Sequence, residues 1–104
     1  MRGDVYELRS PRDVRGHEQA GRRYAVVVQN EDILTSTRLV APTSTSAQIA
    51  SYRPEVEILG RGTLVLVEQM RAVDPSRLGR FVGRLSLADQ QEVDHALKRV
   101  LALR

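Results

Sequence analysis

Short segments of alternating or wholly apolar residues in the first two-thirds of the chain predict β-strands. Asp4–Leu8 alternates polar and apolar residues and Glu55–Ile58 alternates cleanly, which is typical of half-buried strands. Residues 24–29 are apolar on both faces and rich in β-branched side chains, so they predict a central strand. Residues 39–42 predict a short strand closed by its proline, and residues 63–67 predict a second interior strand.

Glycine, proline and capping residues predict the turns that follow these strands. Residues 60–62 (Gly-Arg-Gly) should turn the chain between the last two strands, which we expect to pair with each other. Asp74 followed by Pro75 predicts one helical turn that ends at Gly79. Val82 is expected to pair briefly as a further short strand.

The end of the chain predicts an amphipathic α-helix. Ser86 stands three residues before Asp89, which resembles a capping box with Asp in the place of Glu. The helix should run to about Leu103, with Asp94 and Lys98 as an i,i+4 pair on its polar side. Its apolar stripe, which should face the core, consists of Val93, Ala96, Leu97, Val100 and Leu101.

Two polar segments separate the strands and are where function is expected. Residues 9–22 contain Pro11, Gly16 and Gly21, many charges and no period, while residues 43–53 are rich in Ser and Thr. Long loops in compact domains are usually functional or disordered. Five strands and a terminal helix predict one α+β domain over residues 1–104, a small, strongly bent, barrel-like sheet with the helix over its open side.

Composition restricts the chemistry that the chain can perform. There is no cysteine, which excludes disulfides, thiolate nucleophiles and thiolate metal sites. His17 and His95 are far apart, and no acid pair stands beside either at ligand spacing, so we expect no metal and no other cofactor. Phosphate-binding glycine motifs and a G-x-S-x-G elbow are also absent.

The expected setting is a soluble, cytoplasmic one. The N-terminus has no apolar signal core, and no apolar run approaches the roughly 18 residues that span a bilayer. The formal net charge is +3, and 15 of the 16 basic residues are Arg, which suits phosphate but also follows from a GC-rich genome. The charge is therefore compatible with nucleic acid without being evidence for it.

RNA cleavage is a reaction for which these residues suffice. The substrate brings its own nucleophile, the ribose 2′-hydroxyl, so the protein needs only proton transfer and stabilisation of charge on the phosphorane. Arg23, Ser46, Glu18 and His17 supply those groups if the fold brings the two polar segments together. The bland alternatives are an Arg that is merely solvated at a strand edge and hydroxyls that satisfy local backbone.

Three groups of motifs occur in a fixed order along nearly the whole chain. Residues 2–6 and the G-x-E-Q-x-G-x-R segment at 16–23 come first, and residues 40–48 form a strand that ends in a Thr/Ser loop. The E-Q-x-R-x-x-D segment at 68–74 is followed by R-L, by G-R-L, and by V-D-x-A-L at 93–97. This ordered set resembles the MazF/PemK family of toxin endoribonucleases.

The resemblance implies a fold, an activity and partners. The implied fold is an SH3-like, partly open β-barrel of the CcdB/PemK type with a C-terminal α-helix. The implied activity is sequence-selective cleavage of single-stranded RNA (mRNA) without metal, by 2′-hydroxyl attack that leaves a 2′,3′-cyclic phosphate and a 5′-hydroxyl. The implied partners are a second copy in a homodimer and a cognate antitoxin, whose extended acidic segment occupies the RNA groove.

Site residues follow from the same resemblance. Arg23 would act as acid or phosphorane stabiliser, Ser46 would bind or relay to the phosphate, and Glu18 is a secondary choice, as general base. Tyr24 stands where the family usually has Pro, and Ser46 where Thr is common, so a neighbouring Ser or Thr remains an alternative hydroxyl. The expected RNA-binding residues are His17, Gln19, Arg22, Thr43, Ser44, Thr45, Gln48 and Arg53.

Two other functions remain open at this point. A non-enzymatic poison of DNA gyrase, similar to the CcdB type, would not need Arg23 and Ser46, but residues 101–104 do not resemble the Trp-Gly-Ile ending of that type. An RNA-binding module without an active site is the second. Its aromatic residues for base stacking would be few: Tyr6, Tyr24, Tyr52 and Phe81.

Overall fold

An antiparallel sheet and a C-terminal helix make up the fold of the computed structural model, which describes residues 1–9 and 23–104. Within those residues the sheet has seven strands: β1 (Asp4–Leu8), β2 (Tyr24–Val27), β3 (Arg38–Ser44), β4 (Glu55–Ile58), β5 (Arg61–Val65), β6 (Arg71–Val73) and β7 (Leu78–Arg84). Their order in the sheet is β4-β5-β3-β2-β1-β7, and β6 pairs with β3 away from this path. Two 3₁₀ turns, Val67–Gln69 and Pro75–Arg77, precede β6 and β7, and helix α1 spans Leu87–Leu101.

Strand β3 is the point at which the sheet branches. Its residues 38–40 pair with β6, whereas Thr43 and Ser44 pair with β5 on the same edge. Pro42 lies at the changeover, and its carbonyl accepts a hydrogen bond of 2.8 Å from the Leu66 amide. The N–H of residue 42 would point to this same edge. Proline, which has no N–H, is tolerated there because the ladder with β6 ends before the ladder with β5 begins. The strand therefore continues through the proline that the sequence analysis expected to close it.

The main core lies between the curled sheet and α1. Val26, Val65 and Val67 are fully buried there, and Val93 and Ala96 of the helix pack against them. The sheet curls around these side chains into a partly open barrel, which α1 covers. The predicted α+β class, with a bent, barrel-like sheet and a C-terminal helix, is confirmed.

Several predicted element boundaries differ from the structure. The hairpin turn is Leu59–Gly60, with φ of 54° and 79°, and β5 therefore starts at Arg61 instead of Thr63. This pair of positive φ values is typical of a two-residue hairpin turn that matches the twist of its strands. Val67 belongs to a 3₁₀ turn, and Gly79 lies inside β7 because the predicted helical turn ends at Arg77.

Strands β6 and β7 were not predicted in their full extent by the sequence pattern. Strand β6 has only three residues and was not predicted, and β7 is seven residues long where only brief pairing near Val82 was expected. Both depend on partners distant in sequence, since β6 pairs with β3 and β7 pairs with β1. In the part of the chain that the structure describes, the sheet accordingly has seven strands instead of the five predicted.

Helix α1 begins as predicted but differs in its contacts. The Ser86 hydroxyl accepts from the Asp89 amide at 3.1 Å, while the Asp89 carboxylate accepts from the amide of Glu57 on β4, at 2.9 Å, instead of completing a capping box. Asp94 bonds to Arg2 and Gln90 instead of Lys98. The helix ends at Leu101, which is 47% exposed although it belongs to the predicted core stripe. No helix of the described residues is long and apolar enough to span a membrane.

Candidate active site

The start of β2 and the end of β3 are tied together by one side chain. The Thr43 hydroxyl accepts a hydrogen bond from the Tyr24 amide at 3.2 Å and donates one to the Tyr24 carbonyl at 3.3 Å. Thr43 is 2% exposed, so the side chain that makes both bonds is buried, whereas its partner Tyr24 is half-buried. The ladder between the two strands, which last pairs Ala25 with Pro42, is thereby extended by one residue pair.

Arg23 lies immediately before this tether. Its side chain is exposed, and its backbone carbonyl accepts a hydrogen bond of 3.1 Å from the Leu8 amide. Its backbone is therefore held by β1, while the next residue, Tyr24, is held by β3 through Thr43. This arrangement fixes the position of the backbone and leaves the guanidinium at the surface.

A serine turn begins where β3 ends. The Ser46 amide donates to the Ser44 hydroxyl oxygen at 3.1 Å, and the two hydroxyl oxygens are 3.5 Å apart. Ser44 is half-buried, whereas Thr45 and Ser46 are exposed. The turn thus presents the Ser46 hydroxyl to solvent at the same end of the β2–β3 pair as Arg23.

Thr43 differs from its predicted role. It was expected to contact RNA, but its side chain is buried and its hydroxyl is used by the backbone of Tyr24. A buried hydroxyl with two backbone partners is a structural element of the strand pair. Thr43 therefore ties Tyr24 and the adjoining Arg23 to β3, and its burial argues against the predicted direct contact with RNA.

Arg53 and Glu68 form an ion pair beside the serine turn. Nε and Nη2 of Arg53 both donate to Oε2 of Glu68, at 3.0 and 2.6 Å, and Nη1 donates to the Gln48 carbonyl at 3.0 Å. The side chains of Arg53 and Glu68 are only 19% and 25% exposed. The carboxylate of Glu68 thus binds a side chain fifteen residues away in sequence.

The ion pair also alters the acidity of its members. Burial raises the pKa of the Glu68 carboxyl, but hydrogen bonds from Arg53 and from its own backbone outweigh this, so the pKa is lowered overall. The hydrogen bond to Glu68 raises the pKa of Arg53 above its ordinary value. Both groups are charged at neutral pH, and the charge of Arg53 is largely compensated.

The remaining predicted residues are distributed as follows. Glu18, His17, Gln19 and Arg22 lie outside the described residues. Gln48 is exposed in the loop after the serine turn, and His95, which was not predicted as a site residue, is exposed on α1. Within residues 1–9 and 23–104, no group of three or more acidic or histidine side chains is arranged to hold a metal ion.

Together these side chains offer a set of groups suited to a phosphodiester. Arg23 supplies a guanidinium that can donate to phosphate oxygens, and Ser46 supplies a hydroxyl that can donate to the same group. Both are exposed at one end of the strand pair, and the ion pair of Arg53 with Glu68 borders the loop after them. Sequence spacing did not indicate Glu68 as a part of this region, because the two members of the ion pair lie on separate elements.

Sequence comparison identifies relatives along the whole chain. The sequence model of the family described as PemK-like, MazF-like toxin of type II toxin-antitoxin system matches residues 1–101. A Mycobacterium tuberculosis protein that is named as a toxin is 43% identical, over 99% of this chain and 98% of that protein. An endoribonuclease MazF of Staphylococcus epidermidis is 36% identical, over 98% of this chain and 91% of that enzyme.

Structural comparison shows the same fold in solved proteins. A mycobacterial endoribonuclease in complex with its cognate antitoxin superposes with a TM-score of 0.78 at 18% identity, over 100% of this chain and 96% of that chain. At this identity the likeness shows a shared fold alone.

Proposed function

The chain belongs to the PemK-like, MazF-like toxins of type II toxin–antitoxin systems, and we propose that it is the toxin of such a pair and cuts single-stranded RNA without a metal ion. Endoribonuclease activity follows from this membership and from the 36% identical relative that is named an endoribonuclease. The family match favours this activity over a gyrase poison built on the same fold.

The proposed reaction uses the ribose as nucleophile. The 2′-oxygen forms a bond to phosphorus while the bond from phosphorus to the 5′-oxygen breaks, which leaves a 2′,3′-cyclic phosphate and a 5′-hydroxyl. A base takes the proton of the 2′-hydroxyl, and the leaving 5′-oxygen receives a proton. Glu18 is the proposed base, and Arg23 is the proposed acid or stabiliser of the phosphorane oxygens.

Ser46 and its neighbours are proposed to bind the substrate. The Ser46 hydroxyl would donate to the scissile phosphate, while Ser44, Thr45 and Gln48 would contact the RNA on either side. His17, Gln19 and Arg22 are proposed as further contacts from the preceding polar segment.

The observation that most supports this site is the tether between Thr43 and Tyr24. It holds the start of β2 against the end of β3, so that Arg23 and the serine turn belong to one end of one strand pair. Cleavage through a phosphorane needs a cation and a hydroxyl donor at the same phosphate, held before the reaction begins. A fixed strand end supplies such preorganisation better than a freely moving loop.

The partners and setting are proposed from the family. We propose that the protein acts in the cytoplasm as a homodimer and is neutralised by a cognate antitoxin. A solved relative of the same fold is an endoribonuclease in complex with its cognate antitoxin. An extended acidic segment is the antitoxin chemistry that would compete with RNA for Arg23.

Cleavage of RNA in excess EDTA tests this function. We expect the purified protein to cut single-stranded RNA at the same rate with and without EDTA, and to leave 5′-hydroxyl ends. A matched RNA with one 2′-deoxynucleotide at the cleaved position should resist, because it lacks the nucleophile. Loss of cutting in EDTA, or cutting of the 2′-deoxy substrate, would contradict the proposed reaction.

A further inference from the structure

The Arg53–Glu68 ion pair connects the loop after the serine turn to the core. Glu68 lies in the 3₁₀ turn Val67–Gln69, whose first residue, Val67, is fully buried. Backbone hydrogen bonds from Gln69 to the Leu66 carbonyl and from Met70 to the Val67 carbonyl close this turn. The carboxylate of Glu68 is therefore presented from a fixed backbone, and a group bound to it is fixed as well.

Arg53 in turn binds the backbone in the middle of the loop formed by residues 45–54. One edge of its guanidinium is bound to Glu68, and Nη1 donates to the Gln48 carbonyl at 3.0 Å. The Arg53 amide also donates to the Ala50 carbonyl at 3.0 Å, which closes a turn just before it. Gln48 and Ile49 thus have a held backbone while their side chains remain in solvent, Ile49 at 85% exposure.

The same bonds make Arg53 a poor contact for phosphate. A guanidinium whose Nε, Nη1 and Nη2 all donate within the protein has few donors left for a phosphate in its plane. Its charge is already compensated by a carboxylate that is three-quarters buried. A phosphate that took the Nε and Nη2 donors, the edge that now binds Glu68, would leave that carboxylate unpaired, which is unfavourable in a partly dry site.

We infer that Arg53 and Glu68 are positioning residues for base selection: their ion pair holds the backbone of residues 48 and 49 so that the exposed Gln48 and Ile49 side chains meet the bases beside the scissile phosphate. This inference rests on the proposed ribonuclease function and goes beyond it. It replaces direct RNA binding by Arg53 with an indirect role. The Gln48 amide can hydrogen-bond to the edge of an unpaired base, and the Ile49 side chain offers an apolar surface next to it.

The test compares Arg53→Met, Glu68→Gln and the double variant with the unmodified protein, and uses Arg61→Met as the control. Arg61 is exposed at the turn end of the β4–β5 hairpin, so its variant loses the same charge away from the loop. After the cut sequence is mapped from 5′ ends, kcat and KM are measured on that RNA and on RNAs with one neighbouring base changed. Arg53→Lys serves as a conservative variant that keeps the charge and can keep one bond to Glu68.

We expect each single variant to lose discrimination between the mapped RNA and its neighbours by roughly ten- to a hundredfold in kcat/KM, as for the misplacement of a contacting group. The double variant should lose no more than the worse single variant, because both substitutions break one interaction. Arg53→Lys should recover part of the discrimination, and Arg61→Met should keep all of it.

A direct phosphate contact by Arg53 would give a different pattern and would overturn the inference. Arg53→Met would then raise KM equally for every RNA and reduce its salt dependence, while Glu68→Gln would free the guanidinium and lower KM. Unchanged discrimination in folded Glu68→Gln protein would overturn it as well. If the unmodified protein cut no RNA, the proposed function itself would fail, an outcome distinct from intact cutting with unchanged selectivity.

Discussion

The Thr43 hydroxyl binds both backbone polar groups of Tyr24, accepting from its amide and donating to its carbonyl. A threonine in a sheet ordinarily contributes β-branched packing, but here the side chain also takes the place of a backbone ladder contact. The consequence is that the residue before Tyr24, Arg23, leaves the sheet at a defined point beside the end of β3.

Thr43→Val tests the importance of this tether. The substitution keeps the shape of the side chain and removes the hydroxyl, so the part-buried amide and carbonyl of Tyr24 lose their partner. We expect a loss of about 1 kcal/mol in the free energy of unfolding, the usual net contribution of a hydrogen bond, measured by urea unfolding. Thr43→Ser, which keeps the hydroxyl, is the control and should restore the tether. Equal stability of Thr43→Val and the unmodified protein would show that the tether contributes little.

Arg23→Ala removes the proposed stabiliser of the phosphorane. We expect kcat to fall by a factor corresponding to about 3 kcal/mol, as for other preorganised charge-stabilising donors. The side chain is exposed, so the folded state should be nearly as stable as before. Arg61→Ala, at an exposed position of the β4–β5 hairpin, controls for the loss of positive charge. Near-normal cleavage by folded Arg23→Ala protein would remove Arg23 from the site.

Two serine variants separate binding of phosphate from formation of the turn. Ser46→Ala removes an exposed hydroxyl and keeps the amide that bonds to Ser44, so we expect slower cleavage with an unchanged fold. Ser46→Thr keeps a hydroxyl and should cleave at nearly the normal rate. Single-turnover kinetics on one RNA measure all of these rates. If Ser44→Ala abolished cleavage and Ser46→Ala did not, the catalytic hydroxyl would be assigned to Ser44.

The ion pair of Arg53 and Glu68 predicts a pH-dependent part of the stability. The folded-state pKa of Glu68 is lowered, so ionised Glu68 stabilises the fold above the ordinary carboxyl pKa of about 4.3. This contribution is lost as the pH falls through the lowered pKa of the folded state. Urea unfolding of the unmodified protein and of Glu68→Gln should therefore differ most above the ordinary carboxyl pKa and converge as the pH falls through the lowered pKa of Glu68. A constant difference over this range would contradict the assignment.

The sequence pattern predicted the elements that carry a local signal and missed those that depend on distant partners. β1 and β4 have the predicted limits, and β4 alternates between exposed and buried side chains along its length. β6 has three residues and forms on the edge of β3, and β3 passes through Pro42 because two different strands share that edge. Neither feature is encoded in local spacing.

In the candidate site, too, residues in sequence motifs were predicted, whereas contacts between distant parts of the chain were not. Arg23 and Ser46 come from motifs that the family resemblance supplied, and both are exposed at one end of the β2–β3 pair. The buried position of Thr43 and the pairing of Arg53 with Glu68 depend on tertiary contacts. Arg53 was therefore predicted to contact RNA, whereas in the folded chain its guanidinium donates to the Glu68 carboxylate and to the Gln48 carbonyl.

The most direct test of the site is a double-mutant cycle between Arg23 and Ser46, measured as single-turnover cleavage of one RNA in EDTA. If the guanidinium and the hydroxyl act on one phosphate, the double Arg23→Ala/Ser46→Ala variant should be much faster than the product of the two separate losses predicts. Rate losses that multiply fully would mean that the two groups act independently, and would contradict a shared active site at the end of the β2–β3 pair.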